Sequence, residues 1–267
     1  MANKPQRVAN AYREAINGVD WFALEAARRN LSIFEDLGLF EPNVSAALKV
    51  VDEAIAASRA PQALPDRVLL FTGHMVDAPD RDPAKARFPR TAQAEAIARG
   101  LIEETVKKEV QAGETVFGIA GGACGSDILF HEVCASLGIP TRLFLALPIR
   151  QFQVASVQRG GPDWVDRYQK LCERLPPRVL QDSEALPDWL ADKRDYDLWQ
   201  RNNEWMLFHA LATNARRLTL VALYNPDRDA DGAGGTAHLI GLARRWGFKS
   251  IELDGRKLLA DVATPPR

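Results

Sequence analysis

Gly118-Ile119-Ala120-Gly121-Gly122-Ala123-Cys124-Gly125-Ser126-Asp127 decides the fold. The stretch follows a short apolar run, Thr115 to Ile119, that reads as a buried strand. It precedes Ile128 to Leu137, which reads as a helix. Strand, glycine-rich turn and helix together make a phosphate cradle in α/β proteins. Glycines let the backbone approach an anion, and the free N–H groups and dipole of the helix N-terminus attract it. A second glycine turn, Asp231-Gly232-Ala233-Gly234-Gly235-Thr236, sits in the same context. It lies between the strand-like Leu218 to Tyr224 and a helix from Ala237 to Trp246.

Outward from these turns, short apolar runs alternate with helical patterns from residue 66 onward. Strands are predicted at Arg67 to Thr72, Thr115 to Ile119, Arg142 to Ala146, Arg178 to Leu180, Leu218 to Tyr224 and Ser250 to Leu253. Helices are predicted at Thr91 to Ala112, Ile128 to Leu137, Gln151 to Leu175, Asp197 to Thr213 and Ala237 to Trp246. That alternation implies an α/β fold, a Rossmann-like, mostly parallel sheet with helices on both faces, over residues 66–260. In such sheets ligands sit beyond the carboxyl ends of the strands, where strand order reverses. Both glycine turns fall on that edge, as does Thr72-Gly73-His74-Met75. Residues 1–60 form a separate N-terminal extension. Apolar positions such as Val8, Tyr12, Ala15 and Ile16 recur at helical spacing, and Asn43-Val44-Ser45 suits a helix start, so a helical hairpin or cap is expected. Pro61-Gln62-Ala63-Leu64-Pro65 reads as the linker.

Composition narrows the function classes. The 267 residues carry 34 basic and 35 acidic side chains, a formal charge of -1, which gives no long-range attraction to nucleic acid or anionic membrane. No apolar run is long enough to span a bilayer, and three cysteines form no complete disulfide framework. A cytoplasmic protein is the expectation.

The glycine rhythm excludes two common phosphate binders. Gly118, Gly121, Gly122 and Gly125 do not make the Gly-x-Gly-x-x-Gly of a dinucleotide reductase, and the next strand ends in Leu147-Pro148 rather than in a ribose-binding acid. A Walker loop would need Gly-Lys-Ser/Thr, which is absent. Gly121-Gly122-Ala123-Cys124-Gly125-Ser126-Asp127 instead resembles the Gly-Gly-Ala-x-Gly-x-Asp signature of the SLOG superfamily, which joins the DNA-processing protein DprA with the Lonely Guy enzymes. Gly234-Gly235-Thr236 is similar to the second part of the Lonely Guy signature. Thr72 to Met75, Arg87-Phe88-Pro89 and Arg201 to Trp205 resemble a bacterial branch of the group. The resemblance covers residues 66 to 254. It implies a Rossmann-like fold and a nucleotide or nucleotide-derived ligand, with no other cofactor required and no metal. It allows a homo-oligomer and a protein partner on the N-terminal helices. A Lonely Guy enzyme needs a glutamate three residues after its threonine, and here that position is Leu239. Sensing by binding is therefore the leading expectation. The alternatives are a nucleotide N-glycosidase or phosphoribohydrolase, and an interaction module with no ligand.

The expected ligand site comprises Gly73, His74, Arg87, Gly121, Gly122, Gly125, Ser126, Asp127, Asn203, Gly234, Gly235 and Thr236. Histidine and arginine can donate to phosphate, Ser126 can cap a helix or hold phosphate, and the resemblance implies that Asp127 holds a ribose hydroxyl or the base. Asn202 or Asn203 would face the pocket, since asparagine suits a helix interior poorly without a partner. An N-glycosidase needs a carboxylate near the sugar, for which Asp127, Glu132 and Glu204 are the candidates. The spacing of Cys124, His131 and Cys134 matches no common zinc site, so buried cysteines are expected.

Overall fold

A computed structural model describes residues 4–16, 21–58, 65–228 and 234–259, with Phe22 by its backbone alone. The linker residues 61–64 and the first part of the second glycine turn, residues 231–233, lie outside the described residues. The chain divides into two compact units, Met1–Ala63 and Leu64–Arg267.

The first unit contains helices α1 (Pro5–Ala15), α2 (Trp21–Asp36) and α3 (Glu41–Ser58). Both α1 and α2 pack on α3 around Leu24, Leu31, Val44, Leu48, Val51 and Ile55. Among the described residues the unit is thus three helices, where a helical hairpin or cap is expected from the sequence. The third begins at Glu41, two residues before the expected Asn43, with the Glu41 carboxylate in its first turn, where the helix dipole favours it.

The second unit is built on six parallel strands: β1 (Arg67–Gly73), β2 (Val116–Ala120), β3 (Thr141–Leu145), β4 (Arg178–Val179), β5 (Arg217–Tyr224) and β6 (Lys249–Asp254). Their order is β4-β3-β2-β1-β5-β6, and every pairing is parallel. The architecture is Rossmann-like. Strand β1 is central, and its side chains feed two cores by the two-residue alternation of a strand. Leu69 and Phe71 face one layer, which includes α4 (Ala92–Glu109), α5 (Ser126–Ser136), α6 (Ile149–Ser156) and α7 (Pro162–Arg174). Val68 and Leu70 face the other, with α8 (Leu198–Ala212) and α9 (Thr236–Trp246). A strand buried on both faces reads as continuous apolar sequence, as Val68-Leu69-Leu70-Phe71 does.

One predicted helix is divided. Residues 151–175 form α6 and α7, separated by a 3-10 turn at Gln158–Gly160. Gly161 has φ +102°, and Pro162 opens α7 at a position where its missing N–H costs nothing. The turn carries Arg159 toward the sheet edge. No helix among the described residues is long and apolar enough to cross a membrane.

Candidate functional site

The chain leaves β1 toward β2 on one side of the sheet, and β5 pairs with β1 on the other. The carboxyl ends of β1 and β5 therefore flank the point where strand order reverses, the position at which open α/β sheets bind ligands. A pocket of about 290 Å³ opens there. His74 spans the point: its Nε2 accepts the Asn225 backbone N–H at 2.8 Å, which places the ring proton on Nδ1. Burial, reinforced by the Arg87 and Arg81 charges, lowers its pKa to about 3. His74 is thus a neutral ring and not a cation at neutral pH.

The β1 loop and the first glycine turn are joined along their length. The His74 carbonyl accepts both the Ser126 N–H (3.2 Å) and the Ser126 hydroxyl (2.8 Å). Met75 bridges Gly125, and the Val76 N–H donates to the Cys124 carbonyl at 3.1 Å. A Cβ on Gly73 would lie 2.5 Å from the Ser126 Cβ, so only glycine lets the end of β1 touch α5. Gly125, at φ +102°, would place a Cβ 2.8 Å from the Val76 nitrogen. His131, on α5, reaches back under the turn. Its rings nitrogens lie 3.0 Å from the Gly121 carbonyl and 2.8 Å from the Thr141 hydroxyl. Burial lowers its pKa to about 4, so it is a neutral brace. Cys124 and Cys134 are buried free thiols whose pKa burial raises.

The packing places several of the expected site residues away from the pocket. Among the described residues, Gly121 and Asp127 line the pocket, whereas Gly122, Gly125 and Ser126 do not. Gly122 faces Leu143, Leu145 and Tyr168 in the core, where a Cβ would come within 3.0–3.2 Å of them. The Ser126 hydroxyl is fully buried and donates to the His74 carbonyl; it does not cap α5, and Ser126 does not line the pocket. Glu132 is also outside the pocket. It accepts two hydrogen bonds from Arg167 (2.7 and 2.8 Å) and one from Arg99. Glu204 accepts from the Tyr196 hydroxyl at 2.7 Å and lines no part of the pocket.

Asp127 is the carboxylate that remains. It accepts the Ala123 N–H at 3.3 Å and sits where a Gly121 Cβ would meet its Oδ2 at 2.6 Å. Burial pushes its pKa up to about 7, against the smaller opposing effect of that N–H. Asp197 also lines the pocket, but its carboxylate caps α8 through the Gln200 N–H at 2.8 Å.

Two arginines reach the same cavity, Arg87 and Arg159. The Asp77 carboxylate holds the loop of the first by accepting the backbone N–H groups of Arg87 (2.9 Å) and Phe88 (3.0 Å). Burial and the neighbouring Arg81 charge lower the Arg87 pKa to about 10, which leaves it cationic at neutral pH. Arg159 was not anticipated; the Gly160-Gly161-Pro162 break was its visible signal.

The second glycine turn closes the pocket from β5. Gly234, Gly235 and Thr236 all line it. The Asn203 amide donates to the Gly234 carbonyl at 2.8 Å, and Gly234 presses on α8 so closely that a Cβ would fall 2.2 Å from the Trp199 Cβ. Gly235 precedes α9 with no side-chain cap; the His238 N–H of the first turn donates to the Gly235 carbonyl at 3.0 Å, and Thr236 and Ala237 line the cavity. Phe152, Trp199 and Tyr224 supply aromatic surface that the sequence reading did not anticipate.

Arg159 Nε and Asn202 Oδ1, buried at this pocket, have no hydrogen-bond partner among the described residues. Each such atom costs roughly 1–3 kcal/mol. No protein-family model matches the chain, and no curated protein matches its sequence.

Proposed function

We propose that the α/β unit binds a nucleotide or nucleotide-derived ligand in the pocket between the ends of β1 and β5. The observation that carries this reading is the placement of Arg159 Nε and Asn202 Oδ1, buried and unpartnered, at the same cavity as both glycine turns. A ligand that hydrogen-bonds these atoms recovers their desolvation cost. The uncapped start of α9 and the Arg87 and Arg159 guanidiniums suit a phosphate. The aromatic side chains suit a base. A cavity near 290 Å³ is at the small end of ligand sites, which favours a mononucleotide over a dinucleotide.

Differential scanning fluorimetry with nucleoside mono-, di- and triphosphates tests the reading. At a hundred times its Kd a ligand stabilises by about 2.7 kcal/mol, roughly 5–10 °C for a unit of this size. Arg159→Ala should remove most of that shift. Unchanged melting with every nucleotide would refute nucleotide binding.

Asp127 favours a second reading, an N-glycosidase or phosphoribohydrolase. A carboxyl group titrating near 7 at the pocket wall is suited to acid–base work at neutral pH. Release of free base from a nucleoside monophosphate, lost in Asp127→Asn, is the expected sign of that activity. Tight binding with no base released would leave the protein a sensor.

A further inference from the structure

Trp199, Asn202, Asn203 and Met206 share the face of α8 that lines the pocket, at the spacing of successive helical turns. The two asparagines are adjacent and buried, yet they are used differently. Asn203 is occupied: its Nδ2 donates to the Gly234 carbonyl at 2.8 Å and lies 3.4 Å from His238 Nδ1. Asn202 is 6% exposed, and its Oδ1 has no partner among the described residues. Asparagine is a weaker helix former than leucine, and a buried unpartnered amide opposes folding. Position 202 therefore holds a polar group against the local interest of the helix, a conflict expected at functional positions.

We propose that Asn202 is the specificity-determining residue of the pocket, its carboxamide hydrogen-bonding the edge of the ligand's nucleobase. This rests on the nucleotide-binding reading above. A carboxamide presents an acceptor and donors in one plane. A base edge presents the complement, an exocyclic amino or carbonyl group beside a ring nitrogen, and asparagine reads bases in this manner in nucleic acids. Phe152 and Trp199, with ring centroids 6.0 Å apart, border the same cavity and provide flat apolar surface for the base. Asn203 positions the second glycine turn and carries no base preference.

The test is calorimetric titration of the full chain with AMP, GMP, CMP and UMP. The wild-type protein should favour its best base over its worst by about tenfold or more, the scale of a good amide–base pair. Asn202→Leu should reduce that spread to about twofold, chiefly by weakening the best base. Asn202→Asp, which keeps the shape but replaces the amide donor with a second acceptor, should change the order of preference. Asn203→Ala should weaken all four alike. A folded Asn202 variant that keeps the wild-type spread, or that loses affinity equally for every base, overturns the assignment while leaving nucleotide binding standing. Absence of binding by all four to the wild-type protein overturns both.

Discussion

The two glycine turns occupy equivalent places, each between a strand and a helix at one edge of the same sheet, but they are held in different ways. The first is built into the core. Gly122 packs on Leu143 and Leu145, Gly125 abuts the β1 loop, and the Ser126 hydroxyl is spent on the His74 carbonyl. Only part of it, including Gly121 and Asp127, meets the pocket. The second turn presents Gly234, Gly235 and Thr236 together to the pocket, and an amide from α8 holds it through the Gly234 carbonyl. A glycine-rich turn can thus be required by packing at one residue and available to a ligand at the next. The motif alone does not tell which.

The comparison can be broken most forcefully at Gly73. The methyl group of Gly73→Ala would have to fit 2.5 Å from the Ser126 Cβ, between a central strand and the start of α5. A loss of about 3 kcal/mol is expected in a denaturant titration, the upper range for overpacking. A loss below about 1 kcal/mol would show that the first turn is not tightly braced.

Asp127 is the point where the braced turn meets the pocket, and its titration has a definite sign. Its pKa is raised from 3.8 to about 7, so the folded protein holds a proton that the unfolded chain releases. Stability from this group is complete below pH 3.8, falls as pH rises, and is lost above pH 7. Asp127→Asn should therefore raise stability at pH 8 by roughly 1–3 kcal/mol and change little near pH 3. His74 titrates in the opposite sense: lowered from 6.5 to about 3, it contributes stability that is lost as pH falls through that interval. The combination should give a broad optimum in wild-type melting curves whose alkaline side flattens in Asp127→Asn.

The smallest contrast lies between Ser126 and Asn203. Each makes a hydrogen bond worth about 1 kcal/mol. Ser126→Ala should lower stability by that amount and leave nucleotide affinity unchanged, because its hydroxyl does not face the pocket. Asn203→Ala should cost a similar amount and also weaken nucleotide binding, because it frees the Gly234 turn. Equal effects on affinity would erase the distinction between the two turns.

Much of the sheet was legible because β1, β2, β3 and β5 are short apolar runs bounded by glycine, proline or charged residues. The helix predicted across residues 151–175 is divided at Gly160-Gly161-Pro162, a break that this tripeptide signals but that the apolar spacing on either side of it masks. Arg159 was lost with that break. The Gly73-His74 loop and the two glycine turns could be placed at one edge because each follows a predicted strand. Which side of a turn each residue faces could not, since the inward positions of Gly122 and Ser126 are set by partners distant in sequence, Tyr168 and His74. Glu132 looked catalytic because Arg99 and Arg167, which occupy it, come from two other helices. The division of labour between Asn202 and Asn203 depends on the Gly234 carbonyl, 31 residues away in the chain.

The most direct measurement is a crystal structure of the protein grown with saturating AMP, GMP, CMP or UMP. Density for a mononucleotide between Gly121 and Thr236, contacting Arg159 and Asn202, is the expected result. Four structures whose pocket holds no nucleotide, or a nucleotide bound elsewhere on the molecule, would contradict it.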